Sequence, residues 1–366
     1  MSNLEKQLAR LHGALRPARW LVLSLALVAS AAVAATANAS QIISTTSVTN
    51  LTLGVNGQGE AMLSYQVGGK TVHVLAWGAL NAVAPTPNGS QVAFELAYDG
   101  GFQKDYTDNP LVQSTLHELR TLQGETRQEL AVNNNKRRWA LGRQISAVYA
   151  TLVRLRSSAE DFWQTFSCPT YDGPPLADLV AACKAPDGSY WAVQSWDRDL
   201  PDYGVTPTTA QSQMEIHLSH WTGALPVLTV HTDWAYGGQW NHLWGSFTYN
   251  GSGVYGFHST PQGEPLDSFG RNLYVDTYDS AYGSGWKREN SFLMHAPDGT
   301  WCYSVNPHGA HPAGTGSMYR LTILGPGVTP DVSVTVNAPG PYDKAAELAE
   351  SAGILAMHDP ACVPHV

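Results

Sequence analysis

Apolar and polar residues alternate with period two over several short stretches of this 366-residue chain. That is the pattern of strands buried on one face. In the first such stretch Ala61, Leu63, Tyr65 and Val67 share a face. Val92, Phe94, Leu96 and Tyr98 alternate just as cleanly with Gln91, Ala93 and Glu95. Asn56-Gly57, Gly68-Gly69 and Asn88-Gly89 punctuate these runs, where a turn wants residues that accept positive φ. Residues 40–98 therefore read as four strands. After Cys168 the pattern predicts further strands at 189–196, 214–221, 226–234, 243–249, 254–259, 272–278, 289–296, 300–305, 318–324 and 331–336. No fixed-period repeat appears, which excludes a propeller or solenoid. The expected fold is mainly β: a β-sandwich or distorted barrel of short antiparallel strands.

The period changes to 3.6 between residues 105 and 166. Asn109 is placed to cap a helix whose first turn holds Pro110. Val112, Leu116, Leu119 and Leu122 follow at helical spacing. After the turn Asn133-Asn134-Asn135, a second stripe runs through Leu141, Ile145, Val148, Leu152 and Leu155. A helical hairpin is thus inserted between strands. Its second helix carries Lys136, Arg137, Arg138, Arg143, Arg154 and Arg156 and no acid. This is either a solvated face balanced by acids elsewhere or a surface for an anionic partner. Near the end, Asp343 caps a short Ala-rich helix that is expected to stop at Gly353.

The first 39 residues have the form of an export signal. Lys6, Arg10, Arg16 and Arg19 precede the uncharged run Trp20–Ala35, and Ala37-Asn38-Ala39 is a small-x-small cleavage pattern before Ser40. The expected organisation is a signal peptide at 1–39, an N-terminal β segment at 40–104, a helical hairpin at 105–166, and an aromatic-rich β domain at 167–366. A secreted, extracellular chain is expected, with a membrane contact only if the leader stays uncleaved.

The leader holds four of the 21 basic residues and one of the 30 acidic ones, which leaves 17 basic against 29 acidic after cleavage. That excess of negative charge argues against nucleic acid as a partner. Cys168, Cys183, Cys302 and Cys362 are an even set in an exported chain and are read as bridges 168–183 and 302–362. No Cys-x-x-Cys or His-Glu-x-x-His motif occurs, and His308-Gly309-Ala310-His311 lies among Gly and Pro, so no metal or other cofactor is expected. The Gly-x-Ser-x-Gly elbow and the phosphate loop are absent too.

Three constellations remain. A hairpin of residues 215–221 and 226–234 would set Glu215, His217, His231 and Asp233 on one face, which reads as its wet side, or as a group that binds a divalent metal or shuttles protons. The band from Trp234 through Tyr236, Trp240 and Asn241 to Trp244 reads as an aromatic loop. Flat aromatic surfaces beside amides suit the apolar faces and hydroxyls of sugars. The polar stretch 267–290 adds Arg271, Asp276, Tyr278, Trp286 and Glu289. There Asp276 with Glu289 or Asp267 is a candidate glycosidase pair. The leading expectation is a secreted binding protein for a polysaccharide or cell-envelope glycan, with no catalytic residue assigned. The alternatives are a glycan-cleaving hydrolase and a structural surface protein.

Overall fold

The computed structural model describes residues 40–84, 91–159, 166–197, 212–254, 266–294, 296, 298–305, 316–358 and 362. The leader, the strand expected at 254–259 beyond Val254, and the loop with His308 and His311 lie outside the described residues. Residues Ala37–Val366 form one compact unit. Its strands are β1 (Gln41–Ser44), β2 (Thr49–Val55), β3 (Ala61–Val67), β4 (Lys70–Trp77), β5 (Glu95–Ala97), β6 (Leu179–Lys184), β7 (Tyr190–Asp197) and β8 (Met214–Trp221). They continue with β9 (Val227–Ala235), β10 (Trp240–Tyr249), β11 (Ser252–Gly253), β12 (Leu273–Ser280), β13 (Gly283–Phe292), β14 (Thr300–Val305), β15 (Met318–Ile323) and β16 (Val332–Asn337). The helices are α1 (Phe102–Asp108), α2 (Pro110–Ala131), α3 (Asn135–Ala159) and α4 (Lys344–Ala356).

The strands make four antiparallel sheets, and these pack as two sandwiches rather than a closed barrel. In the first, the sheet β2-β3-β4-β5 faces the sheet β1-β8-β7-β6. Leu63, Val74 and Phe94 meet Trp191, Val193, Ile216 and Leu218 in its core. In the second, β10 with β9, β14 and β11 faces the sheet β13-β12-β15-β16. Leu243, Phe247 and Trp301 meet Val275, Tyr319, Leu321 and Ile323 there. A third, smaller cluster of Trp196, Tyr274 and Leu324 joins the two sandwiches. Close approach also demands Gly245: a Cβ there would lie 1.9 Å from the Thr229 carbonyl oxygen of the neighbouring strand.

The helical insertion folds as its periodicity predicts. Val112 and Leu119 pack on Val148 and Leu152, with Leu116, Leu122, Ile145 and Leu155 around them. The Asn109 side chain caps α2 through the Leu111 amide, with Pro110 behind it. Both expected bridges are present, Cys168–Cys183 and Cys302–Cys362. On the chain-entropy account their loops contribute about 3 and 4 kcal/mol. The second bridge ties the tail to β14 beside Trp244 and Ile354.

Four expectations need correction. First, the hairpin of residues 215–221 and 226–234 does not form. β8 lies between β1 and β7, and β9 pairs β10, so the chain leaves one sandwich for the other at residues 222–226. Glu215 therefore faces Trp196 and His217 faces Gln194, not His231 and Thr229. A strand with one polar face looks half wet in sequence, yet Glu215, His217 and Ser219 are buried, and other polar groups satisfy Glu215 and His217 there. Second, 234–244 is no loop: β9 runs to Ala235 and β10 starts at Trp240, leaving a four-residue turn. Third, 283–288 belongs to strand β13, and β6 arises where no strand is predicted.

Fourth, the terminal helix runs through Gly353 to Ala356. A Cβ at position 353 would come within 2.8 Å of the Trp244 ring, so this glycine makes room for an indole and stops nothing. The Asp343 carboxylate accepts from the amides of Ala345 and Ala346 at 2.8 and 3.3 Å. Asp343→Ala is expected to cost about 1 kcal/mol in denaturant unfolding. An unchanged midpoint would mean that docking and the bridge alone hold α4.

Candidate functional site

The turns and strand ends at one end of the second sandwich gather the aromatic residues. The β9–β10 turn, the β12–β13 turn, the start of β15 and the tail of β16 meet there. Asn241 Nδ2 donates to the Tyr319 hydroxyl at 2.5 Å, and Thr232 Oγ1 donates to the Asn337 carbonyl. These bonds bring the two sheets' ends together. Tyr319 in turn lies opposite Thr277, next to the Tyr278–Trp286 pair.

Two aromatic pairs stand at this end, one on each sheet. Tyr236, in the left-handed region at φ 55° and exposed, sets its ring against Trp240 at 4.4 Å. Trp234 donates its indole N–H to the Gly340 carbonyl and meets Tyr342 edge to face at 5.9 Å. A Cβ on Gly238 would lie 2.6 Å from the Tyr342 ring, so this turn glycine lets the ring lie on the backbone. On the other sheet, Tyr278 packs edge-on to Trp286 at 5.1 Å, and the Arg320 guanidinium lies over Trp286 at 4.8 Å. Both rings of that pair are half-buried.

Asp276 anchors the guanidinium. Its carboxylate accepts from Arg288 Nε at 2.5 Å and from Arg320 Nη2 at 3.0 Å. Burial alone would raise this carboxyl, but the two arginines outweigh it and hold the group below the usual carboxylate range. Arg288 also covers the Tyr274 ring at 4.8 Å. The result is an aromatic pair with a fixed cation over one ring on the outer face of this sheet, while Tyr236 and Trp240 stand on the outer face of the other. Aromatic faces of this kind stack on apolar ring faces, and the cation offers N–H donors at the edge.

Of the ten residues singled out in the sequence, Trp234, Tyr236, Trp240 and Asn241 lie at this end of one sheet, and Tyr278 and Trp286, with Asp276 beside them, at the same end of the other. Three do not belong. Trp244 points outward from β10 but is buried under α4, stacked on His231 at 4.3 Å. Arg271 forks the Asp267 carboxylate at 2.9 and 2.6 Å before the opposite end of β12, roughly 20 Å away by strand rise. Glu289 enters the interior between the sheets beside Thr277. Asp276 and Glu289 therefore point to opposite faces of one sheet, and Asp267 is consumed by Arg271. No pair of these carboxylates flanks a common bond in the way a glycosidase requires. Arg320, over Trp286, and Tyr342, against Trp234, also pack on these aromatic residues and were not singled out in the sequence. Their only signal is a polar residue inside an alternating strand and an exposed aromatic after Pro341.

A second constellation lies at the junction of the sandwiches, from residues far apart in the chain. His217 is wholly buried, with Nε2 3.0 Å from Glu215 Oε2 and Nδ1 2.9 Å from Ser40 Oγ and 3.3 Å from Asp331 Oδ2. Ser40 donates its hydroxyl to Asp331 Oδ1 at 2.5 Å, so it accepts from Nδ1. Glu215 also accepts from the Ser268 hydroxyl, and Asp331 from the Trp196 indole and the Gly325 amide. Both ring nitrogens thus act as donors, which makes the ring an imidazolium between two carboxylates. Burial alone would lower His217, but Asp331 and Glu215 raise it.

The order serine, histidine, carboxylate resembles a catalytic triad only on paper. A nucleophilic serine must give its proton to the imidazole. Ser40 gives its proton to Asp331 instead and is closed to solvent. Acceptors surround the imidazole, and the neighbouring donors aim at Glu215 and Asp331 rather than at a common point. No group of three or more His, Cys, Asp or Glu among the described residues is placed to hold a metal ion. The junction therefore links the two sandwiches through buried polar groups, while at the aromatic end Tyr236 is exposed and Tyr278 and Trp286 are half-buried. No family model, no curated protein and no solved structure matches this chain, so its fold and its site carry the functional reading by themselves.

Proposed function

We propose that this chain is an exported binding protein whose ligand is a polysaccharide or cell-envelope glycan, held at the aromatic end of the second sandwich. One observation carries the reading. Tyr236–Trp240 and Tyr278–Trp286 stand at one end of a single sandwich, and Asp276 fixes Arg320 over the second pair. Rigid aromatic faces cost little entropy on binding, and carbohydrate rings offer the matching apolar faces. Two disulfides suit an oxidising compartment, in keeping with the leader. Among the described residues no helix is long and apolar enough to cross a membrane.

A glycan and cell-wall binding screen of the chain from Ser40 onward tests this. Trp286→Ala and Trp240→Ala are each expected to weaken binding at least about tenfold, roughly 1.4 kcal/mol, with the melting temperature held. The proposal fails if no glycan binds, or if binding survives both substitutions. Asp276→Ala is expected to weaken binding as well, because it frees Arg320. Release of reducing ends by the wild-type chain would favour hydrolysis instead.

A further inference from the structure

The helical hairpin ends in an apex that the glycan reading does not use. α2 spans 22 residues, about 33 Å at 1.5 Å per residue. Its base is tied to the sheets through α1: Lys104 bonds to Glu60 and lies over the Trp77 ring at 5.1 Å. Away from this base the two long helices pack on each other through the stripe of Val112, Leu119, Val148 and Leu152. The apex itself is a structured turn. Asn133 takes a left-handed φ of 57°, the Asn134 amide bonds to the Glu129 carbonyl, and the Asn134 side chain caps α3 through the Arg137 amide.

Three apolar side chains stand out at this apex: Val132 is 72% exposed, Trp139 68% and Leu130 54%. Trp139 is two residues before Leu141 of the packing stripe, and so it sits on the opposite, solvent-facing side of α3. On its own face it is flanked three and four residues away by Lys136 and Arg143, both exposed. Arg137 and Arg138 complete the cluster. Of the nearby acids, Glu125 faces Arg137 at 3.5 Å and Glu129 lies half-buried at the end of α2. The apex keeps an excess of positive charge in a chain of net charge −9.

We infer that this apex docks the protein on an anionic lipid bilayer. A soluble polyanion would satisfy the cations but leave Trp139, Val132 and Leu130 in water. A bilayer interface supplies both partners at once: an anionic surface for the four cations and an apolar boundary for the three side chains. The tryptophan enters at headgroup level with its flanking Lys and Arg side chains reaching the phosphates. The helices stay intact, since their own stripe, not the apex, holds them together.

Co-sedimentation of the chain from Ser40 onward with vesicles tests the assignment. Vesicles of phosphatidylglycerol and phosphatidylcholine are expected to bind it, with affinity falling as salt rises, and vesicles of phosphatidylcholine alone to bind far less. The triple substitution Lys136→Ala, Arg138→Ala, Arg143→Ala is expected to lower partitioning roughly a hundredfold. Bromine-labelled lipid is expected to quench part of the tryptophan emission in the wild type, and Trp139→Phe to remove that part. The inference is overturned by equal binding to both vesicle types. It is overturned as well by binding that the triple variant retains, or by capture of a soluble polyanion such as polyphosphate without capture of vesicles. Glycan binding by the aromatic end is unaffected in the triple variant, so the two proposals fail separately.

Discussion

Replacing His217 by alanine is expected to lower the free energy of unfolding by about 3–5 kcal/mol, the cost of breaking a buried ion pair from one side. Glu215 and Asp331 would remain in the dry junction between the sandwiches without their shared cation. The Ser268 hydroxyl, the Trp196 indole, the Gly325 amide and the Ser40 hydroxyl, which also donate to these two acids, are neutral. These donors solvate a carboxylate but do not cancel its charge. Urea unfolding of wild type and variant is the measurement, and a loss below 1 kcal/mol would show that the imidazolium is not what offsets the two acids.

The same site sets a pH window. The folded-state value of His217 is raised, so its contribution is fully present below pH about 6.5 and is lost as pH rises through that raised value. Burial alone would raise Glu215, but its hydrogen bond and charge pairing with His217 lower it. Its contribution is present above pH about 4.5 and is lost as pH falls through the lowered value. His217 and Glu215 both contribute fully between the two, while Asp331, which burial raises against the pull of His217, costs stability as pH rises from about 3.8 through its raised value. In the His217→Ala variant the alkaline side of this dependence should flatten.

Glu289→Gln should act in the opposite sense and stabilise the protein, by about 3 kcal/mol at pH 8 and by little at pH 4. Glu289 is closed to solvent between the sheets of the second sandwich. Its one hydrogen bond is from Thr277 Oγ1 at 3.4 Å, and Oε1 has no partner. Burial pushes the carboxyl up to about 7. A carboxyl whose folded value exceeds its unfolded one is tolerated while protonated. It then costs stability as pH rises from about 4.5 towards 7. Glutamine keeps the shape and never ionises, so it removes that cost. A gain that does not grow with pH would rule out the ionised carboxylate as its source. His217 and Glu289 both move the stability maximum of the wild type towards mildly acidic pH.

These two residues also show where sequence reading ends. Glu215, His217 and Ser219 alternate with Ile216 and Leu218 as an amphipathic strand should. The alternation was legible, but the partner of the polar face was not. It consists of Ser40 and Asp331, more than a hundred residues away on either side, and no local pattern couples them. Glu289 lies in a stretch where Asp276↔Arg288 and Val275↔Asn290 are paired across a register shift. That bulge adds one residue to β13 and turns Glu289 inward. Counting by twos from the C-terminal end, where Phe292 and Asn290 pair with the inward Leu273 and Val275, puts it on the wrong side.

The aromatic end was half legible for a similar reason. Trp240 and Trp244 look alike in sequence, both on one face of a strand, four residues apart. The first stands at the strand's open end beside Tyr236, and the second is roofed by α4, held down by the Cys302–Cys362 bridge. Which tryptophan meets solvent depends on a helix a hundred residues later.

By itself the chain determined its classes of element: period-two strands, the hairpin insertion with its packing stripe, the Asn109 and Asp343 caps, and the pairing of neighbouring cysteines. The strands, caps and first bridge rest on interactions within about 15 residues, the stripe on two helices joined by a short turn, and the second bridge on the last two cysteines left. Tertiary structure alone decided that β8 and β9 part company, that four sheets stack as two sandwiches, and that a buried imidazolium joins them. It also decided which aromatic residues share an open end. Those outcomes turn on which face is covered by what. Covering is a long-range property, set by packing and by the need to satisfy every buried charge.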